Sequence, residues 1–417
     1  MRIITLLNKC EPLKSFVYKK EHYEQKNGHE VLIIQIVPRK NSKPICSVCK
    51  GRSSIYDHQQ PRDFQFVPLW GIQVFFRYQL RRVNCNQCGV KVEQVPWSQG
   101  KHTLTTTYAQ FLAHWAKKLS WFEVARSFKS SWYHVYQGVK QVVDYGLKNR
   151  SMKNISAIGV DEIHYGKGHQ YLTMVYQIDK DNKRLLCVER DRKAKSLLKC
   201  FRTIGKENLK SIQFVCTDMW RAYLKVIKKK LPTALNILDR FHIVKKLNEA
   251  VNKVRIIEAA KHKKEGFEPV LAKTKYCFLK REENLTEKQD MRLKDLLKMD
   301  LQSVKAYLYK QSFESFWQYK SPNWAGVFMD KWCKSVMHTK LTPMKTFVKT
   351  LRNHRPLLMN WFKAKKLYSS GVVEGLNRKV NLVTRKSYGF RSYDILKIAL
   401  FHTMGNLPEP KTTHSFF

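Results

Sequence analysis

Two Cys-x-x-Cys pairs, Cys46/Cys49 and Cys85/Cys88, are the strongest chemical signal in the chain. That spacing lets a tight turn aim two thiolates at one ion, so two pairs can complete a tetrahedral Zn²⁺ site. The 35 residues between the pairs exceed the roughly 15–20 of common zinc modules. A β-hairpin would close that gap. Trp70, Ile72, Val74, Phe76, Tyr78 and Leu80 alternate with polar or outward residues, which is the period of a half-buried strand. Four thiolates leave no coordination position open for water, so the expected role of the zinc is structural. The alternative is four free thiols in a reducing compartment.

Acids are scarce, 33 Asp and Glu against 78 Lys and Arg, and their placement is therefore informative. Asp161 ends the apolar run Ala157–Val160, Asp218 ends the run from Ile212, and Glu374 opens a late helix after a glycine break. In an α/β sheet, residues at strand C-termini converge on a crevice. Three carboxylates gathered there raise one another's pKa unless a cation joins them. Oxygen ligands suit Mg²⁺ or Mn²⁺, and two such ions about 4 Å apart serve phosphodiester cleavage. The alternative is three unrelated surface acids in salt bridges. Glu162 adjoins Asp161, and strand alternation points it to the opposite face. Asn377, Arg378, Asn381 and Arg385 follow Glu374 at i+3, i+4, i+7 and i+11, a helical face suited to phosphates. Asp239 and His242 begin a long helix, where they can orient a ligand, contact DNA or cap the helix.

The elements that must position these residues fall into segments. Residues 1–40 have no assignable role, and 41–98 read as a zinc-binding β unit. Residues 101–150 are helical. Tyr108, Phe111, Leu112, Trp115 and Leu119 share a face, and Ser120 with Glu123 forms a capping-box pattern. A third helix, over 131–146, turns Val135, Tyr136, Val139 and Val143 inward, which makes a helix-turn-helix. Residues 154–240 alternate strands and helices as a mixed α/β sheet. Residues 241–367, rich in aromatics without strand alternation, read as a helical insertion. Residues 368–405 carry the glutamate and 406–417 form a tail.

The formal net charge of +45 opposes compaction and points to a polyanionic partner, nucleic acid before an anionic membrane surface. No apolar run approaches the roughly 20 residues that span a bilayer. The opening MRIITLLNKCEPLKSF lacks the pattern of a secretory signal, so a cytoplasmic protein is expected. No P-loop pattern is present, and no nucleotide cofactor is expected.

The ordered combination resembles the ISL3 family of bacterial insertion-sequence transposases over residues 41–405. It comprises the paired Cys-x-x-Cys unit, Leu119-Ser120 and Ser131-Trp132, and Ile158-Gly-Val-Asp161-Glu162. Thr217-Asp218-Met219-Trp220-x-x-Tyr223, Asp239-Arg-Phe-His242, Gly371-x-x-Glu374-Gly375-x-Asn377 and Tyr388-Gly389-Phe390 follow. The resemblance implies a multidomain α+β protein. Its ribonuclease-H-like core would carry a DDE triad, by motif match Asp161, Asp218 and Glu374, interrupted by the α-helical insertion. It further implies cleavage and 3′-hydroxyl strand transfer of double-stranded DNA, with the zinc unit and helix-turn-helix on the terminal inverted repeats.

On this basis Asp161, Asp218 and Glu374 would hold two Mg²⁺ ions. His134 and Gln137 are the candidates for base contact, and Lys245, Lys246 and Lys253 for flanking phosphates, with Asn377, Arg378 and Arg385 beside the cleavage site. A homodimer or larger assembly on paired DNA ends is expected, associated with the bacterial nucleoid. The rival readings are a non-catalytic repressor, a nuclease without strand transfer, and an RNA-binding protein.

Overall fold

A computed structural model describes residues 2–410, apart from 166, 167, 169, 368–370, 388 and 391. Tyr388, singled out in the sequence, and Ser369 and Ser370, which precede the Gly371 break, lie outside the described residues, as does the tail from residue 411. The chain divides into two units, Met1–Ser151 with Val380–Phe417, and Met152–Lys379. Among the described residues, no helix is long and apolar enough to cross a membrane.

In the first unit, helix α1 (Ile3–Cys10) precedes strands β1 (Phe16–Lys26), β2 (His29–Pro38), β3 (Ser54–Leu69), β4 (Ile72–Cys85) and β5 (Gly89–Val92). They form one sheet in the order β1-β2-β4-β3, with β5 also on β4. The alternation read from Ile72 onward is β4. Val74, Phe76, Tyr78 and Leu80 are buried with Phe16, Leu32, Ile34, Phe64 and Trp97. Trp70 and Gly71 make the β3–β4 turn with φ of 47° and 83°, which matches the right-handed twist of a two-residue hairpin. The boundary expected at residue 40 is absent. Val31–Gln35 of β2 pair in parallel with Gln73–Arg77 of β4, so residues 16–38 belong to the same sheet. The cause is physical: Val31, Leu32, Ile33 and Ile34 are all buried, and a strand apolar on both faces needs neighbours that local sequence does not name.

Three helices follow, α2 (Thr106–Lys118), α3 (Trp121–Ser127) and α4 (Trp132–Asn149). The Ser120/Glu123 capping box forms, with the Glu123 N–H donating to Ser120 Oγ at 3.2 Å and the Ser120 N–H to Glu123 Oε2 at 2.8 Å. Ser131 caps α4 through the N–H of His134, 3.1 Å away. A Cβ on Gly138 of α4 would stand 2.5 Å from the carbonyl oxygen of Ala109, so α2 and α4 touch backbone to backbone. The C-terminal helix Tyr393–Met404, expected within the second part of the core, belongs to this first unit and packs on α4.

The second unit opens with β6 (Ala157–His164), β7 (Tyr171–Ile178) and β8 (Lys183–Arg190). Helices α5 (Ala194–Ile204) and α6 (Lys206–Lys210), strand β9 (Phe214–Thr217), helix α7 (Arg221–Lys230) and strand β10 (Leu235–Leu238) follow. The sheet order is β10-β9-β6-β7-β8. β6, β7 and β8 are antiparallel neighbours, while β9 runs parallel to β6 and β10 to β9. Ile158, Val160, Val175 and Leu186 bury against Leu197, Phe201, Tyr223 and Val226 of α5 and α7.

Beyond the sheet come α8 (Arg240–Lys264), α9 (Lys275–Leu279), α10 (Glu287–Leu297), α11 (Gln302–Glu314), α12 (Pro322–Met337), α13 (Thr342–Asn353) and α14 (Arg355–Lys363). Their core gathers Leu247, Val251, Phe313, Phe316, Trp332, Phe347 and Phe362. Asn360 of α14 donates to the carbonyl of Asn236 on β10 at 2.9 Å, which ties these helices to the sheet edge. α15 (Gly371–Lys386) belongs to this unit through Lys379.

Replacing Gly138 with leucine forces a side chain against the fixed carbonyl of Ala109. Overpacking of this kind costs about 1–3 kcal/mol. Amide exchange across 106–149 is expected to accelerate and the thermal midpoint to fall. Unchanged exchange would refute the backbone contact.

Candidate functional site

The hairpin β3–β4 carries the chain out from Cys46/Cys49 and returns it at Cys85, the last residue of β4. Cys88 sits in the turn to β5, where Cys85 pairs with Gly89. The four Sγ atoms all lie within 4.8 Å of one another, and Cys49 and Cys85 are 3.4 Å apart. A tetrahedron of Zn–S bonds near 2.3 Å has edges of about 3.8 Å, so the cluster fits zinc with little movement. The thiols compete for protons. Backbone N–H groups of Gln87 and Cys88 and the Cys49 thiol lower Cys85 to about 6, while burial and the neighbouring thiols push Cys88 up to about 12. Among the described residues this is the only such cluster of three or more potential ligands.

The acids are placed by sheet register. Val160 of β6 pairs with Thr217 of β9, and Thr217 with Leu238 of β10. The next residue on each strand is Asp161, Asp218 and Asp239, so three carboxylates stand side by side on strands about 4.8 Å apart. Asp161 is pushed up to about 6, chiefly by burial, with Asp218 adding to the rise and the Glu162 N–H, Asn377 and His242 opposing it. Burial raises Asp218 as well, and Asp239 adds to that rise. Asp239 is buried and caps α8 through the Phe241 N–H at 2.7 Å; its other oxygen binds His242 Nδ1 at 2.8 Å. That bond raises the pKa of His242, and Asp161 and Asp218 raise it further.

Helix α15, which carries Glu374, packs on β6. Gly159, two residues before Asp161 on the same face of β6, leaves room for it: a Cβ there would lie 2.4 Å from Val373 Cγ2. One turn beyond Glu374, Asn377 Nδ2 donates to Asp161 Oδ2 at 2.6 Å, and Tyr176 OH donates to Asn377 Oδ1 at 2.9 Å. Glu374 is half-buried between these two anchors, and its carboxylate makes no hydrogen bond among the described residues. Both ends of the Asn377 amide are thus engaged inside the protein, away from the phosphate contact expected of it. Arg378 and Arg385 are exposed.

A second set of side chains ties Asp161 to Asp218 on the other face. Glu162 Oε1 accepts from Arg192 at 2.9 Å, while its Oε2 is buried without a partner among the described residues. The Arg192 guanidinium lies 4.5 Å from the Tyr171 ring centroid and 4.8 Å from that of Trp220. The Trp220 indole donates to the Arg192 carbonyl at 3.2 Å, and the Trp220 backbone N–H donates to Asp218 Oδ1 at 2.9 Å. The remaining candidates are spread elsewhere. Lys245, Lys246 and Lys253 are exposed on α8, and His134 and Gln137 are half-buried on α4. His134 Nδ1 lies 3.3 Å from Ser130 Oγ. Sequence reading passed over Tyr176 and Arg192, which lie 201 residues from Asn377 and 30 from Glu162 along the chain. Only the apolar strand around Tyr176 hinted at a buried hydroxyl needing a partner.

A family model described as a transposase, of the ISL3 type, matches residues 158–400. The transposase of insertion sequence element IS1001 from Bordetella parapertussis is 24% identical over 359 residues, 85% of this chain and 87% of the relative. The transposase of IS1557 from Mycobacterium tuberculosis is 26% identical over 409 residues, 92% of this chain and 91% of the relative.

Cys85→Ser is expected to strip zinc from the purified protein, because a thiolate ligand is lost from a closed site. Elemental analysis would read the metal, and amide exchange over 46–92 would rise with its loss. Full zinc retention would exclude the four-cysteine site.

Proposed function

Because the chain belongs to the ISL3 family of transposases, we propose that it binds the terminal inverted repeats of an insertion sequence and catalyses DNA cleavage followed by 3′-hydroxyl strand transfer. The observation that carries this reading is the alignment of Asp161 and Asp218 on adjacent parallel strands, with α15, the helix that carries Glu374, bonded to Asp161 through Asn377. The order and direction of the five strands support a ribonuclease-H-like core. Asp161, Asp218 and Glu374 would hold two Mg²⁺ or Mn²⁺ ions. The carboxylates suit hard cations, and bound ions at such a site supply Lewis-acid activation of the attacking and leaving oxygens.

The chain's own residues prepare the rest. Asn377 fixes the rotamer of Asp161 and couples it to the helix that carries Glu374. The Trp220 N–H fixes Asp218 and leaves its second oxygen without a hydrogen bond among the described residues. His242, held by Asp239, is a cation beside these acids when protonated and would attract a DNA phosphate. In the first step water attacks a phosphodiester at the element end; the P–O3′ bond breaks, leaving a 3′-hydroxyl and a 5′-phosphate. In the second, that 3′-hydroxyl attacks a target phosphodiester, forming a new P–O bond and displacing the target's own 3′-hydroxyl.

The first unit would recognise the ends. Helices α3 and α4, joined by a short turn and capped at Ser120 and Ser131, support a helix-turn-helix with the N-terminus of α4 toward the major groove. The zinc cluster would hold the base of the long hairpin as a structural site. A dimer on paired ends and association with the nucleoid complete the proposal.

Labelled DNA carrying the element's own ends tests it, with Mg²⁺ and with wild type and Asp218→Ala in parallel. Loss of a metal ligand is expected to lower nicking and joining by on the order of a thousandfold or more, since several kcal/mol of charge stabilisation goes with it. End binding should persist. Specific binding without cutting by either protein would support the repressor; cutting that survives Asp218→Ala would displace the active site.

Asn377→Ala is expected to lower nicking about 10–100-fold, the usual effect of removing a group that orients a metal ligand. A variant that nicks at the wild-type rate would remove Asn377 from the site.

A further inference from the structure

A groove of about 1500 Å³ lies between α5, α6 and α7 in the second unit. Its floor is apolar, formed by Leu198, Phe201, Leu209 and Val226. Arg202, Lys206 and Lys210 line one wall, and Arg221, Lys225 and Lys229 line the other. No Asp or Glu lines it. Lys230 lines it as well. Lys210 pairs with Glu207; the other six cations make no ion pair among the described residues. At one end stands Trp220, the residue whose N–H holds Asp218.

The arrangement on α7 works against the helix that carries it. Arg221, Lys225 and Lys229 recur every four residues along one face, where like charges repel. Arg221 is the first residue of the helix, and the first turn contains no acid, although the positive end of the helix dipole disfavours a cation there. The dipole accounts for the lysines of the last turn and leaves Arg221 and Lys225 unexplained. A polyanion lying along this face relieves both repulsions. The 10 residues of α7 span about 15 Å, the axial length of about four nucleotides of a B-DNA strand.

We propose that this groove holds the phosphodiester backbone of target DNA and presents it to Asp218 past Trp220. The choice of target DNA over element ends follows from the lining. The amide and carboxylate side chains that read adenine and cytosine edges are absent from it. Cations over an apolar floor suit a phosphate backbone, and guanine is the one base whose edge they also match, a loose preference that capture of varied target sequences tolerates. The assignment rests on the strand-transfer reading above.

The full-length triple variant Arg202→Glu, Lys225→Glu, Lys229→Glu tests it, its fold checked by circular dichroism and thermal midpoint. In fluorescence anisotropy with a labelled duplex of unrelated sequence, the slope of log affinity against log salt is expected to shrink by about three, the three phosphate contacts removed. Strand transfer into a plasmid should fall about tenfold or more, while Mg²⁺-dependent nicking at the element end stays within about twofold of wild type. An unchanged slope in the folded variant would overturn the groove as a DNA site. Equal loss of nicking and transfer would overturn its assignment to target DNA. If wild type neither nicks nor joins, the proposed function fails, and the salt slope still decides the groove.

Discussion

The amide of Asn377, bridging Tyr176 OH and Asp161 Oδ2, is the interaction on which the second unit's site depends. It joins the middle of the sheet to a helix more than two hundred residues later. Its geometry requires α15 to lie close on β6, and that closeness requires glycine at 159, where any side chain would collide with Val373. Tyr176 is fully buried, so its hydroxyl must find a partner or lose the hydrogen bond it had in water. Asn377 meets that need and orients Asp161 in the same act. A buried carboxylate pushed up to about 6 has given up solvation, and the neighbouring N–H groups return part of it.

On the opposite face the Glu162–Arg192–Trp220 chain does comparable work. Arg192 belongs to the segment between β8 and α5, yet its guanidinium lies over the rings of Tyr171 and Trp220 while binding Glu162. Stacking and charge together hold a planar guanidinium better than either alone. Asp161 and Asp218 are thereby braced from both faces of the sheet by residues that are not themselves acids of the expected triad.

The first unit is organised by a different constraint. Its long β3–β4 hairpin has the zinc cysteines at its base and a left-handed Trp70-Gly71 turn at its tip. A hairpin of this length gains register from cross-strand packing, and the thiolate cluster fixes its open end. The positive charge spread over both units is a cost to compaction that the buried cores must offset.

Much of this was legible in the chain itself. The Cys-x-x-Cys pairs, the Ser120/Glu123 capping box and the acids ending Ala157–Val160 and the run from Ile212 are local patterns, and local patterns follow from turn geometry, helix ends and strand period. The parallel pairing of β2 with β4, the packing of the C-terminal helix on α4, the collision that demands Gly159, and the partners of Asn377 and Arg192 were not legible. Each joins residues far apart in the chain, and one sequence carries no signal of which distant groups will be buried together. The residue types and their spacing determined which chemistry was available; burial, by forcing buried polar groups to find partners, decided which side chains hold it in place.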